Sequence, residues 1–107
     1  MRKKPTFYPN LYIGESISTK NLDKLKRNLI KKPLFANVYV ITISKNPYNQ
    51  LEIYDAKQLA QRYYRKYPPY IVGIAGDYEE ALLLVQQIVQ ECLQDRSDCS
   101  LKEYLLC

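Results

Sequence analysis

The residues with the clearest chemical possibilities are glycines between an apolar run and a capped helix. Tyr70-Ile71-Val72-Gly73-Ile74-Ala75 reads as a buried strand, Gly76 turns the chain, and Asp77 and Glu80 form a D-x-x-E pair of the capping-box kind. Backbone N–H groups at such a strand–turn–helix could cradle a phosphate. Gly73, Gly76 and Asp77 are therefore a candidate ligand turn. The fingerprint is incomplete, because the third glycine of a dinucleotide loop and the Gly-Lys-Ser/Thr of a P-loop are both missing. Asp77, Glu79 and Glu80 also put negative charge where a phosphate would sit. A tight turn with close helix–sheet packing accounts for the same residues.

Other catalytic constellations are hard to build. The chain has no histidine, which removes the commonest general base and transition-metal ligand. Cys92, Cys99 and Cys107 have neither a histidine partner nor zinc-site spacing. Cys92 falls on the apolar arc of a helix and reads as a small core residue. Asp55 and Asp77 sit where helix caps are expected. No catalytic residue, metal ligand or cofactor is assigned.

A second signal is a row of cations. Lys20, Lys24, Arg27 and Lys31 fall within about 60° of one another on a helical wheel, opposite Leu22, Leu25 and Leu29. Such a row could follow a phosphate backbone, or it could simply be a solvated face. Arg2, Lys3, Lys4, Lys26 and Lys32 would extend it. It belongs to a larger asymmetry. Residues 1–66 hold 14 Lys/Arg and 4 Asp/Glu, net +10, while residues 67–107 hold 2 and 7, net −5. A positive face and a negative face permit head-to-tail contact between copies.

The elements that must position these residues follow from periodicity. The 107 residues, 47% hydrophobic and 25% charged, suit one globular domain over 1–107. Residues 1–10 read as an extended N-terminal arm and residues 11–17 as a strand. A helix is expected over residues 20–32, ended by Pro33. Val38-Tyr39-Val40-Ile41-Thr42-Ile43 is the strongest strand, apolar on both faces. Asn46-Pro47-Tyr48-Asn49-Gln50 is a turn, and Leu51-Glu52-Ile53-Tyr54 a short returning strand. Ala56, Leu59, Ala60, Tyr63 and Tyr64 recur at helical spacing, which predicts one helix with Tyr63 facing the core. A long helix follows Asp77 to about Leu93, with Leu83 on its polar side. Ser100 and Glu103 would cap a short helix in a C-terminal tail over 94–107.

This order predicts a small α/β domain: a three- or four-stranded, mostly parallel sheet packed by about three helices plus the short C-terminal helix, with α+β as the alternative. The strongest core candidates are Leu25, Val40, Ile41, Ile43, Leu59, Ile71, Val72, Ile74, Leu84, Val85 and Ile88. With no apolar run of membrane-spanning length and no secretory leader pattern, a cytoplasmic protein with no membrane partner is expected. The leading functional expectation is a non-catalytic interaction or accessory module, tyrosine-rich, binding a protein partner or itself. A polyanion such as nucleic acid, bound on the first helix, is the alternative. A small ligand-binding domain or enzyme using the turn at residues 73–77 is the third.

Overall fold

The computed structural model describes residues 4–44, 50–95 and 100–106. Arg2, Lys3, the turn at residues 46–49, Cys99, Cys107 and the Glu103 side chain lie outside the described set. The strands are β1 (Thr6–Ile13), β2 (Tyr39–Ile43), β3 (Leu51–Asp55) and β4 (Tyr70–Ala75). The helices are α1 (Leu22–Lys31), α2 (Arg62–Lys66), α3 (Tyr78–Asp95) and α4 (Leu101–Leu106). The strands form one sheet in the order β1-β4-β2-β3.

The domain is α/β, but its sheet is mixed rather than mostly parallel. β1 runs parallel to β4, whereas β2 runs antiparallel to both β4 and β3. The reason is local. The short connection from Ile43 to Leu51 suits a hairpin, and hairpins make antiparallel pairs. The chain then crosses over β2 and inserts β4 between β1 and β2.

β4 is buried along nearly its whole length because helices cover both faces of the sheet. Ile71 and Ile74 join Leu29, Val38, Val40, Tyr54 and Leu59 on the face covered by α1 and α2. Val72 and Ala75 join Ile41, Ala81, Leu84, Ile88 and Cys92 on the face covered by α3 and α4. Ile71 and Ile74 cannot share a face in a regular strand, whose side chains alternate. A bulge reconciles them: Gly73 pairs with Ile41 and Ile71 with Thr42, leaving Val72 as the extra residue.

The expected arm is part of the sheet. Residues 6–10 form the first half of β1, whose register slips between Phe7 and Tyr12. Pro9 lies within that slip, where an edge strand tolerates a residue that cannot donate. The Tyr12 hydroxyl donates to Glu91 Oε1 at 3.1 Å, fastening the edge strand to α3.

Two expected helices are shorter than their patterns. Residues 19–21 form a 3-10 turn, so Lys20 precedes α1. Ala56–Ala60 is also a 3-10 turn, and Gln61 is extended before α2 begins. The break resets the helical phase, so Tyr63 is 55% exposed rather than core. Tyr64 packs on the first cluster instead. Of the core candidates, Leu25, Ile43 and Val85 are partly buried and the others buried. Among the described residues no helix is long and apolar enough to cross a membrane.

Ile88 is fully buried while its neighbour Gln87 is exposed. Ile88→Ala should cost about 2–5 kcal/mol in urea unfolding, and Gln87→Ala no more than about 0.5 kcal/mol. Equal effects would rule out this orientation of α3.

Candidate functional site

Parallel neighbours whose connections leave toward opposite faces create a crevice at their C-terminal ends, the usual ligand position in an open α/β sheet. β1 and β4 are such a pair. The chain leaves β1 for α1 on one face and leaves β4 for α3 on the other. The candidate ligand turn lies at this point.

In this chain the crevice is occupied by a carboxylate of its own. Glu80 Oε1 accepts from the Gly76 N–H at 2.8 Å and from the Ser16 hydroxyl at 2.7 Å, and Oε2 accepts from the Ser16 N–H at 3.2 Å. Asp77 caps the helix as expected, accepting from the Glu80 N–H at 2.8 Å. The reciprocal half of the capping box is displaced by one residue, onto Gly76 instead of Asp77. Gly14 and Gly76 permit the approach. A Cβ at Gly14 would strike Glu80 Oε1, and a Cβ at Gly76 would strike Ser16 Oγ. Gly73 lies inside the sheet, paired with Tyr12 and Ile41.

The Gly76 N–H, and after it the Ser16 hydroxyl, hold the Glu80 carboxyl below its ordinary pKa. The anion position that a phosphate would need is therefore filled by Glu80. In the sequence, Glu80 is legible only as a local cap. Its partner Ser16 is 64 residues away, and no local pattern announces that contact.

Lys20, Lys24, Arg27 and Lys31 are all exposed. Lys24, Arg27 and Lys31 share one face of α1, and Lys20 precedes them in the 3-10 turn. None has a carboxylate partner among the described residues. Lys26 instead places Nζ 5.4 Å from the centre of the Phe7 ring. Cys92 is buried in the second cluster. Among the described residues no three His, Cys, Asp or Glu side chains gather closely enough to hold a metal ion.

A surface feature absent from the sequence reading lies at the C-terminal end of α1. Pro33–Phe35 forms a 3-10 turn that packs on the Ala56–Ala60 turn. Between them is a groove of about 260 Å³, floored by Leu29, Ile30, Leu59 and Tyr64 and rimmed by Lys31, Lys32 and Arg65. Leu34 and Phe35 also line it, and Phe35 is 72% exposed. Leu-Phe following a proline is the only local hint of it.

Over 64 residues, 60% of its length, the chain is 31% identical to protein DltD of Lacticaseibacillus rhamnosus. It spans 15% of the length of that protein. No family model matches the chain. No solved structure matches it either.

The lowered pKa of Glu80 has a stability consequence. A carboxyl whose folded value lies below its unfolded value stabilises the fold above the unfolded value. That contribution is lost as pH falls through the folded value. Wild type should therefore exceed Glu80→Gln in urea midpoint at neutral pH, and the gap should close in acid below the ordinary carboxylate range. A gap that persists unchanged in acid would mean that the Glu80 charge is not its source.

Proposed function

We propose that the chain is a non-catalytic interaction module that associates with a second copy of itself, head to tail. The basic, apolar groove beside Phe35 on one protomer receives an acidic, apolar face of α3 on the next. The exposure of Leu34 and Phe35 beside that groove carries the reading, because large apolar side chains grouped on a surface favour contact with a partner.

Charge complementarity supports a second copy as that partner. On α3, Tyr78, Leu82 and Leu83 are exposed, Leu83 at 64%. Asp77 and Glu79 are exposed beside them. Positions three and four apart share a helix face, so Tyr78, Glu79, Leu82 and Leu83 form one patch. It is apolar with negative charge, where the groove is apolar with Lys31, Lys32 and Arg65 on its rim. Opposite charge would orient the two surfaces and speed their encounter. Contact between two different patches is heterologous and can propagate beyond a dimer.

Phe35→Asp and Leu83→Asp each remove one of the two surfaces. Each variant should associate at least about tenfold more weakly than wild type in sedimentation at low salt. Mixed together they retain one intact groove and one intact face, so they should form a one-to-one dimer and nothing longer. A monomeric wild type, or variants that fail to complement, would overturn the reading.

A second reading, binding of a polyanion such as nucleic acid, is favoured by four exposed cations, Lys20, Lys24, Arg27 and Lys31, that have no carboxylate partner among the described residues. If all four meet phosphates, the logarithm of affinity should fall against the logarithm of salt with a slope of about −3 to −4. The double variant Lys24→Glu with Arg27→Glu should abolish binding in fluorescence anisotropy. No binding of random oligonucleotides at about 50 mM salt would dismiss this reading.

A further inference from the structure

Tyrosine rings and a carboxylate meet beneath α2, at the end of the β2–β3 pair. Thr42 and Glu52 face each other across β2 and β3, and Tyr54 follows on the same face of β3. Tyr63 and Tyr64 come from α2 and Tyr67 from its C-terminal cap. With Ile43 and Pro69, these residues line an open cavity of about 220 Å³. That is below the usual range for a drug-sized ligand and suits a small headgroup.

The rings form a continuous row. Tyr54 and Tyr64 are 5.1 Å apart at 33°, Tyr64 and Tyr63 5.1 Å apart at 89°, and Tyr63 and Tyr67 5.4 Å apart at 49°. The rings are inclined to one another rather than stacked flat.

Two polar groups belong to the cavity. Tyr54 is only 8% exposed, and among the described residues its buried hydroxyl makes no hydrogen bond of good geometry, Thr42 being its polar neighbour. Glu52, whose Oε1 accepts from the Ser44 hydroxyl at 2.8 Å, is the carboxylate in the lining. Burial pushes the Tyr54 pKa upward, the Thr42 hydroxyl draws it partly back, and repulsion from Tyr64, were it ionised, and from Glu52 adds to the rise. Burial and then Glu52 raise that of Tyr64. Both phenols therefore stay neutral at physiological pH.

We propose that this cavity binds a methylated ammonium group, with tyrosine faces around the cation and Glu52 as its counter-charge. Aromatic faces attract cations through their quadrupole, and methylation lowers the cost of stripping water from the cation. The chain already uses the outer ring in this way, since Lys66 Nζ lies 5.5 Å from the centre of Tyr67. Arg62 and Lys66 are exposed, so their repulsion of a bound cation is screened by salt. The lining charge of Glu52 disfavours an anion.

The test is an NMR titration of the full chain, following tyrosine ring signals. The probes are tetramethylammonium and the neutral isostere of choline, 3,3-dimethylbutan-1-ol. The cation should shift the rings of Tyr54, Tyr63 and Tyr64 saturably, and the isostere should bind more weakly. Tyr63→Leu and Glu52→Gln should each weaken cation binding about fivefold, while Tyr63→Phe, which keeps the ring, should stay within about twofold of wild type. Tyr63 is exposed, so its variants leave the core intact. Choline and N-acetyl-trimethyllysine amide, run in parallel, distinguish a small-molecule source from a protein side chain, and tighter binding of either supports the site. Equal binding of cation and isostere, no saturable shift, or an unchanged affinity in Tyr63→Leu would overturn it.

Discussion

The fold depends on β4 being paired along both edges and buried on both faces. A strand in that position has no route to water for its backbone or its side chains. Its edges must meet β1 and β2, and its faces must meet one helical layer each. The bulge at Val72 lets Ile71 and Ile74 serve one layer while Val72 and Ala75 serve the other. The other elements complete this arrangement. α1, the Ala56–Ala60 turn and α2 cover one face, α3 and α4 cover the other, and β3 extends the sheet beyond β2.

The same arrangement explains why Glu80 sits at the customary ligand position. The ends of β1 and β4 diverge toward opposite layers, and Glu80 bridges the gap by gathering Ser16 and Gly76. The carboxylate satisfies backbone donors that a phosphate would otherwise use, and it joins the start of α3 to the loop after β1. Two further surface features lie away from the strand ends. The groove at the end of α1 and the tyrosine cavity beneath α2 adjoin the irregular crossover from β3 to β4, and Tyr64 lines both.

That crossover is also where local periodicity misleads. Ala56, Leu59, Ala60, Tyr63 and Tyr64 read as one helical stripe, and the first members are indeed covered: Ala56 and Leu59 are buried. Gln61, with φ −69° and ψ 147°, interrupts the helical path. Beyond it the wheel no longer applies, so Tyr63 turns to solvent and Tyr64 turns to Tyr54. By contrast, α3 has no interruption, and its pattern places Ala81, Leu84, Ile88 and Cys92 correctly in the core. Leu82, beside the buried Ala81, is exposed.

The sequence by itself determined the α/β class, the two strands buried on both faces, the Asp55 and Asp77 caps, the course of α3 and the exposed cation row. These are set by local hydrogen bonding and by side-chain periods of 2 and 3.6 residues, which a short window contains. Only the tertiary structure decided the mixed sheet order, the bulge in β4, the Ser16–Glu80–Gly76 junction and the grouping of Tyr54, Tyr63, Tyr64 and Tyr67 around Glu52. Each of these joins segments far apart in the chain or depends on a backbone break between them. Contacts of that kind are fixed by how the layers pack, and no local period encodes them.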